Sequence, residues 1–264
     1  MSASGPLLTC RNVSKYFGAL AAVHDLSFEV APGEVLGIGG PNGAGKTTLF
    51  EVISGFSPAS SGEILFDGRP ITQLPPERIC HAGIARTFQL NAGFDSLSVR
   101  DNVLIAAYFG LRNRAVPGLA VDRATRERAD AALALVGLID NAGAVTGGLP
   151  VLDRKLLMLA GALATDPKLL LMDEPVGGLN PKEIDRVIHV IGNLRDLGIT
   201  VIVIEHVMRF LVELSSRILI MHHGEKIYEG SPGGLVKNAT VVDVYLGAGT
   251  SQRLQAVLDA RHGP

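Results

Sequence analysis

Residues 40 to 47 read Gly-Pro-Asn-Gly-Ala-Gly-Lys-Thr, and this run lies between an apolar stretch, Val35 to Ile38, and a segment of helical spacing that opens at Thr47. A glycine-rich loop between a strand and a helix is a phosphate cradle. Its glycines let backbone N–H groups converge on phosphate oxygens, and the helix that follows adds the positive end of its dipole. The pattern assigns Gly40, Pro41, Asn42, Gly43, Ala44, Gly45, Lys46, Thr47 and Thr48 to the binding of a nucleoside triphosphate. Lys46 is expected to reach the β and γ phosphates, and Thr47 to place its hydroxyl on Mg²⁺. An incidental turn is the competing reading, and the flanking strand and helix signals count against it.

With 264 residues the chain is long enough for one large α/β domain or two small ones. Its net charge of −2 and its lack of a basic run give no support to a nucleic-acid surface. Hydrophobic residues make up 47%, yet apolar stretches such as Leu156 to Ala164 fall far short of the ~18 residues of a membrane-spanning helix. The chain is therefore expected to be soluble. Its first residues, Met-Ser-Ala-Ser-Gly-Pro, have neither the basic start nor the apolar core of a secretory signal. Cys10 and Cys80, the only cysteines, read as buried thiols of a cytosolic protein, and no Cys/His metal site is expected.

Leu7 to Val13, Leu26 to Val30, Val35 to Ile38 and Glu63 to Phe66 read as strands, so the chain begins β-rich. From Val99 to Asn141 the pattern is helical and Ala-rich, with a looser patch from Asn113 to Asp122. Lys168 to Met172 and Thr200 to Ile204 are runs that are apolar after their first residue and suit buried parallel strands. The helix between them is well marked: Asn180 as N-cap, Pro181 in the first turn, Glu183 completing a capping box, and Ile184, Val187, Ile188 and Ile191 at helical spacing. Strand, helix, strand implies a parallel sheet. Ser251 to Pro264 read as a short amphipathic tail carrying Leu254, Val257, Leu258 and Arg261.

The apolar run ends in Asp173-Glu174, which puts two carboxylates at the carboxyl edge of a parallel sheet, where open α/β folds bind ligands. Asp173 is expected to hold Mg²⁺ and Glu174 to act as general base on the attacking water. His206, two residues past the second run, is expected at the same edge within reach of the γ-phosphate. Gln89 ends the run Ile84-Ala-Arg-Thr-Phe-Gln and stands in a comparable place. Either residue alone carries little weight.

Together these residues resemble the ATP-binding subunit of an ABC transporter, from about Leu7 to Gly247. The resemblance implies ATP and Mg²⁺ as ligands, Gly40 to Thr47 as Walker A, Lys168 to Asp173 as Walker B, and Glu174 as the catalytic carboxylate. It makes Gln89 the Q-loop residue and a metal ligand, His206 the switch histidine, and Phe17, with Tyr16 as the alternative, the aromatic that stacks on adenine. Leu179-Asn180 stands at the D-loop. Four stretches, Gly-Ile-Ala-Arg-Thr-Phe-Gln (83 to 89), Gly-Leu-Asn-Pro (178 to 181), Ile-Glu-His (204 to 206) and Tyr-Leu-Gly (245 to 247), resemble the branched-chain and hydrophobic amino-acid importers. Related importers of urea and other small polar solutes share much of this.

One departure stands out. The signature loop, Leu-Ser-Gly-Gly-Gln in general form, begins 24 positions before the Walker B aspartate in the family, which gives Leu149-Pro150-Val151-Leu152-Asp153 here. Leu152 replaces a glycine where backbone must approach a phosphate held by the opposite subunit, and a branched side chain is expected to obstruct that approach. Val151 replaces a usual aromatic, and Gly161 an arginine. A shifted loop that uses Thr146-Gly147-Gly148 is the alternative.

The expectation is an α/β P-loop ATPase of ABC type, with an N-terminal antiparallel β-layer, a helical subdomain at about residues 90 to 160, one domain over 1 to 249 and a tail over 250 to 264. The resemblance implies work at the cytoplasmic face of a membrane, with a second ATPase subunit in a heterodimer, membrane-spanning permease subunits and, indirectly, a solute-binding protein. The segment Leu90 to Leu97, with Phe94 and Leu97 foremost, is expected to meet the permease. The rivals are a degenerate cassette that binds ATP and hydrolyses it poorly, a soluble ABC protein without a transport role, and a small P-loop kinase.

Overall fold

The structure is a computed structural model that describes residues 5–88, 93–110 and 121–261. Ten strands form two sheets among these residues. The first is antiparallel, with the order β2 (Leu20–Val30), β1 (Leu8–Phe17), β4 (Ser61–Phe66), β5 (Arg69–Pro70). The second is built on β3 (Val35–Gly39). On one side of it lie β8 (Thr200–Ile204), β7 (Leu169–Asp173) and β6 (Ile84–Arg86), and on the other β9 (Arg217–His222) and β10 (Glu225–Gly230). All of these neighbours run parallel except β10, which closes the edge antiparallel to β9.

The apolar runs read from the sequence are apolar because both faces of this sheet are covered. Leu169 and Leu171 of β7, with Ile202 and Ile204 of β8, join a core shared with the antiparallel sheet and with Leu49, Phe50 and Ile53 of α1 (Lys46–Ile53). Leu170, Met172, Val201 and Val203 face the opposite way, into a second core. That core is covered by α6 (Pro181–Asp196) and α7 (Met208–Leu214), together with a helical layer that follows α2 (Pro76–Ala82): α3 (Val99–Phe109), α4 (Arg123–Leu135) and α5 (Val151–Leu163). The capping box expected on α6 is present in both directions, with the Asn180 side chain accepting from Glu183 N–H and the Glu183 carboxylate accepting from Asn180 N–H.

The chain then runs through α8 (Pro232–Leu235), α9 (Ala239–Val241) and a π-helical turn, Val242–Leu246, into α10 (Ala248–Arg261). Leu254 and Leu258 of α10 are buried in the second core, where α10 lies on α7. Cys10 is buried, and burial drives its thiol far above its usual titration range, which makes it inert as a nucleophile. Cys80 is only half-buried, which corrects the expectation that both thiols are sequestered. Strands β1 and β2 are longer than expected because they continue as a two-stranded ribbon through Phe17 and Leu20.

Candidate nucleotide site

The parallel register aligns Ile38 of β3 with Ile204 of β8, and Ile204 with Asp173 of β7. Three chain segments therefore leave the sheet at one edge: Gly40 onward, Glu205-His206, and Glu174 onward. The loop from Gly40 bends tightly into α1, with Gly40, Gly43 and Gly45 at φ of 141°, 79° and 96°. A Cβ at Gly40 would lie 2.2 Å from the Met221 carbonyl oxygen, and one at Gly45 2.0 Å from that of Ala22, so both positions require glycine. Gly45 caps α1 without a side-chain acceptor, which leaves the first N–H groups of that helix for a bound anion. Lys46 is buried and donates from Nζ to the carbonyls of Gly40 (2.8 Å) and Pro41 (2.9 Å). Burial lowers the pKa of this ammonium, and the carboxylates of Glu174, Asp173 and Glu205 oppose that shift.

Asp173 ends β7 and pairs with Arg86 of β6 at 3.1 Å, the two side chains being 5% and 7% exposed. Burial raises the Asp173 carboxyl, and Arg86 holds it back. The Arg86 guanidinium also donates to the Ser54 hydroxyl and lies 5.1 to 5.8 Å from the ring centres of Phe88, Phe50 and Phe56. Hard oxygen donors, the carboxylate of Asp173 and the hydroxyl of Thr47 at the head of α1, are what Mg²⁺ takes.

Glu174 adopts a left-handed backbone, φ 48°, a conformation uncommon for a side chain of this kind and frequent at functional sites. Its N–H donates to the Ile204 carbonyl, and its own carbonyl accepts from Lys155 Nζ at 3.2 Å. His206 is half exposed, its Nδ1 3.8 Å from Glu174 Oε1 and 3.6 Å from Glu205 Oε2. Glu205, which the sequence analysis did not single out, is fully buried and accepts three backbone hydrogen bonds: from Val176 at 2.9 Å, His206 at 2.9 Å and Val207 at 3.1 Å. Burial raises its carboxyl, and these N–H groups counter that. The side chain fastens the loop after Glu174 to the turn that carries His206.

A cleft of about 950 Å³ runs over the glycine loop, and Phe17, Glu174 and His206 line it. Tyr16 is not among the lining residues and packs edge-on to His24 instead, so of the two aromatics Phe17 is the one brought to the cleft. His223 and Tyr245 also line it, and neither was read as a site residue. Gln89, and with it Leu90, lies outside the described residues. Leu179 packs against the second core beside Asn180, the N-cap of α6.

The signature register Leu149 to Asp153 forms the start of α5, with Pro150 as N-cap. Leu152 is 8% exposed and belongs to the second core, on one stripe with Leu156, Leu159 and Leu163. Its side chain points into the protein and does not project from the tip of the helix, which corrects the expected obstruction. Val151 is the exposed residue of the pair, and Asp153 faces Arg186 at 3.8 Å. The shifted alternative fails on its hydrogen bonds. The buried Thr146 hydroxyl accepts from Asn102, Gly147 N–H donates to the Asp95 carbonyl, and Gly147 O accepts from Arg154.

The sequence pattern of the ABC transporter family matches residues 23–177, which include the glycine loop, Asp173 and Glu174. The chain belongs to the ABC transporter family. This cassette is 34% identical to the high-affinity branched-chain amino acid transport ATP-binding protein LivG of Escherichia coli (strain K12), over 92% of this chain and 99% of that protein. Identity to BraF of Pseudomonas aeruginosa, named for the same transport, is also 34% with the same coverage. Among solved structures, the ADP conformation of MJ1267, an ATP-binding cassette of an ABC transporter, superposes with a TM-score of 0.84 at 30% identity, over 92% of this chain and 99% of that one. The cassette is a nucleotide-binding ATPase with the α/β P-loop fold expected from its sequence.

Two substitutions test the site as a built object. Arg86→Met leaves Asp173 as a buried, uncompensated carboxylate and is expected to lower stability by about 3–5 kcal/mol, whereas adding Asp173→Asn recovers a large part of that loss. Denaturant unfolding of the four proteins of the cycle reads the coupling, and additive losses would contradict it. Leu152→Ala is expected to destabilise the cassette by about 2–5 kcal/mol, because it opens a cavity at a core position. A stable Leu152→Ala protein with faster ATP turnover would instead reinstate the obstruction.

Proposed function

We propose that the cassette is the ATP-hydrolysing subunit of an importer for branched-chain amino acids or closely related small polar solutes. The end-to-end similarity to LivG and BraF carries this reading. It works at the cytoplasmic face of a membrane, paired with a second cassette and with membrane-spanning permease subunits, to which a solute-binding protein delivers cargo. Support for a permease contact comes from an apolar groove between β6, α3 and α5, lined by Phe56, Phe88, Ala106 and Gly161, with Phe94 exposed beside the neighbouring pocket. No described helix is long and apolar enough to cross a membrane.

In this reading Phe17 stacks on adenine, and the N–H groups from Gly40 to Thr48 grip the phosphates. Lys46 exchanges its carbonyl partners for β and γ oxygens. Asp173, Thr47 and Gln89 would hold Mg²⁺, which when bound would neutralise charge on the transferred phosphoryl group. Glu174 takes the proton from the water that attacks the γ-phosphorus, and His206 holds the γ-phosphate in place. The left-handed turn at Glu174, fixed by the Ile204 carbonyl on one side and Lys155 on the other, aims its carboxylate into the cleft. The exposed start of α5 serves the nucleotide of the opposing cassette.

Lys46→Ala is expected to weaken ATP binding at least tenfold. Glu174→Gln is expected to retain binding while turnover falls roughly 10²–10⁴-fold, the contribution of a general base. Calorimetric titration with ATP and a phosphate-release assay with and without EDTA separate the two. Hydrolysis at the wild-type rate by Glu174→Gln would remove Glu174 from the mechanism.

A further inference from the structure

The mechanism above leaves Tyr245 unused, although its ring lines the nucleotide cleft together with Glu174 and His206. It arrives from an unusual piece of backbone. Val242–Leu246 is a five-residue π-helical turn, ended by Gly247 at φ 71°. Such turns are rare and concentrate at functional sites. Core residues anchor it on both sides, Val241 and Leu246 within the turn region and Leu254 and Leu258 on α10. Since α10 lies on α7, and α7 begins two residues after His206, the C-terminal segment is braced against the element that carries the histidine.

The Tyr245 hydroxyl oxygen accepts the N–H of Gly40, the first residue of the glycine loop. A phenol that accepts one hydrogen bond still has its own proton to donate. No acceptor for that proton is found among the described residues, and burial keeps the phenol protonated well above neutral pH. It shares the cleft with Glu174 and His206, where the terminal phosphate bond is broken under the function proposed above, and the carboxylate of Glu205, next to His206 in the chain, acts on the phenol. We propose that Tyr245 is a further ATP ligand, donating its phenolic proton to an oxygen of the terminal phosphate while its oxygen holds the entry of the loop at Gly40. On this proposal the C-terminal segment is part of the nucleotide site, and it distinguishes ATP from ADP, which lacks the acceptor.

The test rests on nucleotide binding by the full chain and uses Tyr245→Phe, which removes a single oxygen, in a Glu174→Gln background that prevents turnover. Titration calorimetry with ATP and with ADP is expected to show the ATP Kd raised about tenfold, the loss expected of a hydrogen bond to a charged group, with the ADP Kd changed less than about twofold. Tyr245→Leu, which also removes the ring, is expected to reduce the ATP-to-ADP preference by the same factor, whatever it does to the melting temperature. Equal weakening of both nucleotides in both variants would make Tyr245 a prop for the loop and overturn the proposal. An unchanged ATP-to-ADP preference would overturn it as well. Failure of the parent protein to bind either nucleotide would instead defeat the functional reading beneath it.

Discussion

The register of three adjacent parallel strands decides where everything else sits. Ile38, Ile204 and Asp173 lie in one row across β3, β8 and β7, so the glycine loop, the Glu205-His206 turn and the Asp173-Glu174 pair emerge side by side. Strand side chains alternate between faces, and a slip of one residue would exchange Leu169 and Leu171 with Leu170 and Met172 between two different cores. Burial on both faces therefore makes the alignment costly to lose. Glu205 extends this order beyond the strands, because its carboxylate ties backbone from two of the three emerging segments at a place where an unmade bond would cost about 1–3 kcal/mol.

That edge gathers Asp173, Glu174 and Glu205; burial raises the carboxyls of Asp173 and Glu205, and the charge of Glu174 adds to the rise at Asp173. The fold answers with cations drawn from distant parts of the chain. Arg86 from β6 meets Asp173, Lys46 from α1 sits within the field of all three carboxylates, and Lys155 from α5 reaches the Glu174 carbonyl. The Arg86 pair is the most deeply desolvated of these contacts, and its aromatic surroundings of Phe50, Phe56 and Phe88 extend to the apolar groove between α3 and α5. One guanidinium thus touches both the carboxylate proposed to hold Mg²⁺ and the wall of the groove proposed to face the membrane subunits.

Much of this was legible in the sequence because local rules carried it. The glycine loop announces itself by composition, the two apolar runs by burial on both faces, and α6 by its capping box. Glu205 was not legible, since its importance comes from the N–H of Val176, 29 positions away in the chain. Tyr245 and His223 reach the cleft only through tertiary packing of the last strands and helices. Leu152 is the instructive error. An obstructing side chain would have to face outward, but its phase on α5 is that of Leu156, Leu159 and Leu163, a stripe visible in the sequence that points inward. Helix phase outweighed motif comparison there.

Under the proposed function the catalytic unit is two cassettes, each lending the start of its α5 to the nucleotide on the other. The specific rate of ATP hydrolysis, measured over a hundredfold range of protein concentration, tests this most directly. It is predicted to rise with concentration until the pair is saturated and then to level off. A specific rate that stays constant across the whole range would mean that one chain hydrolyses ATP alone, which contradicts the composite site.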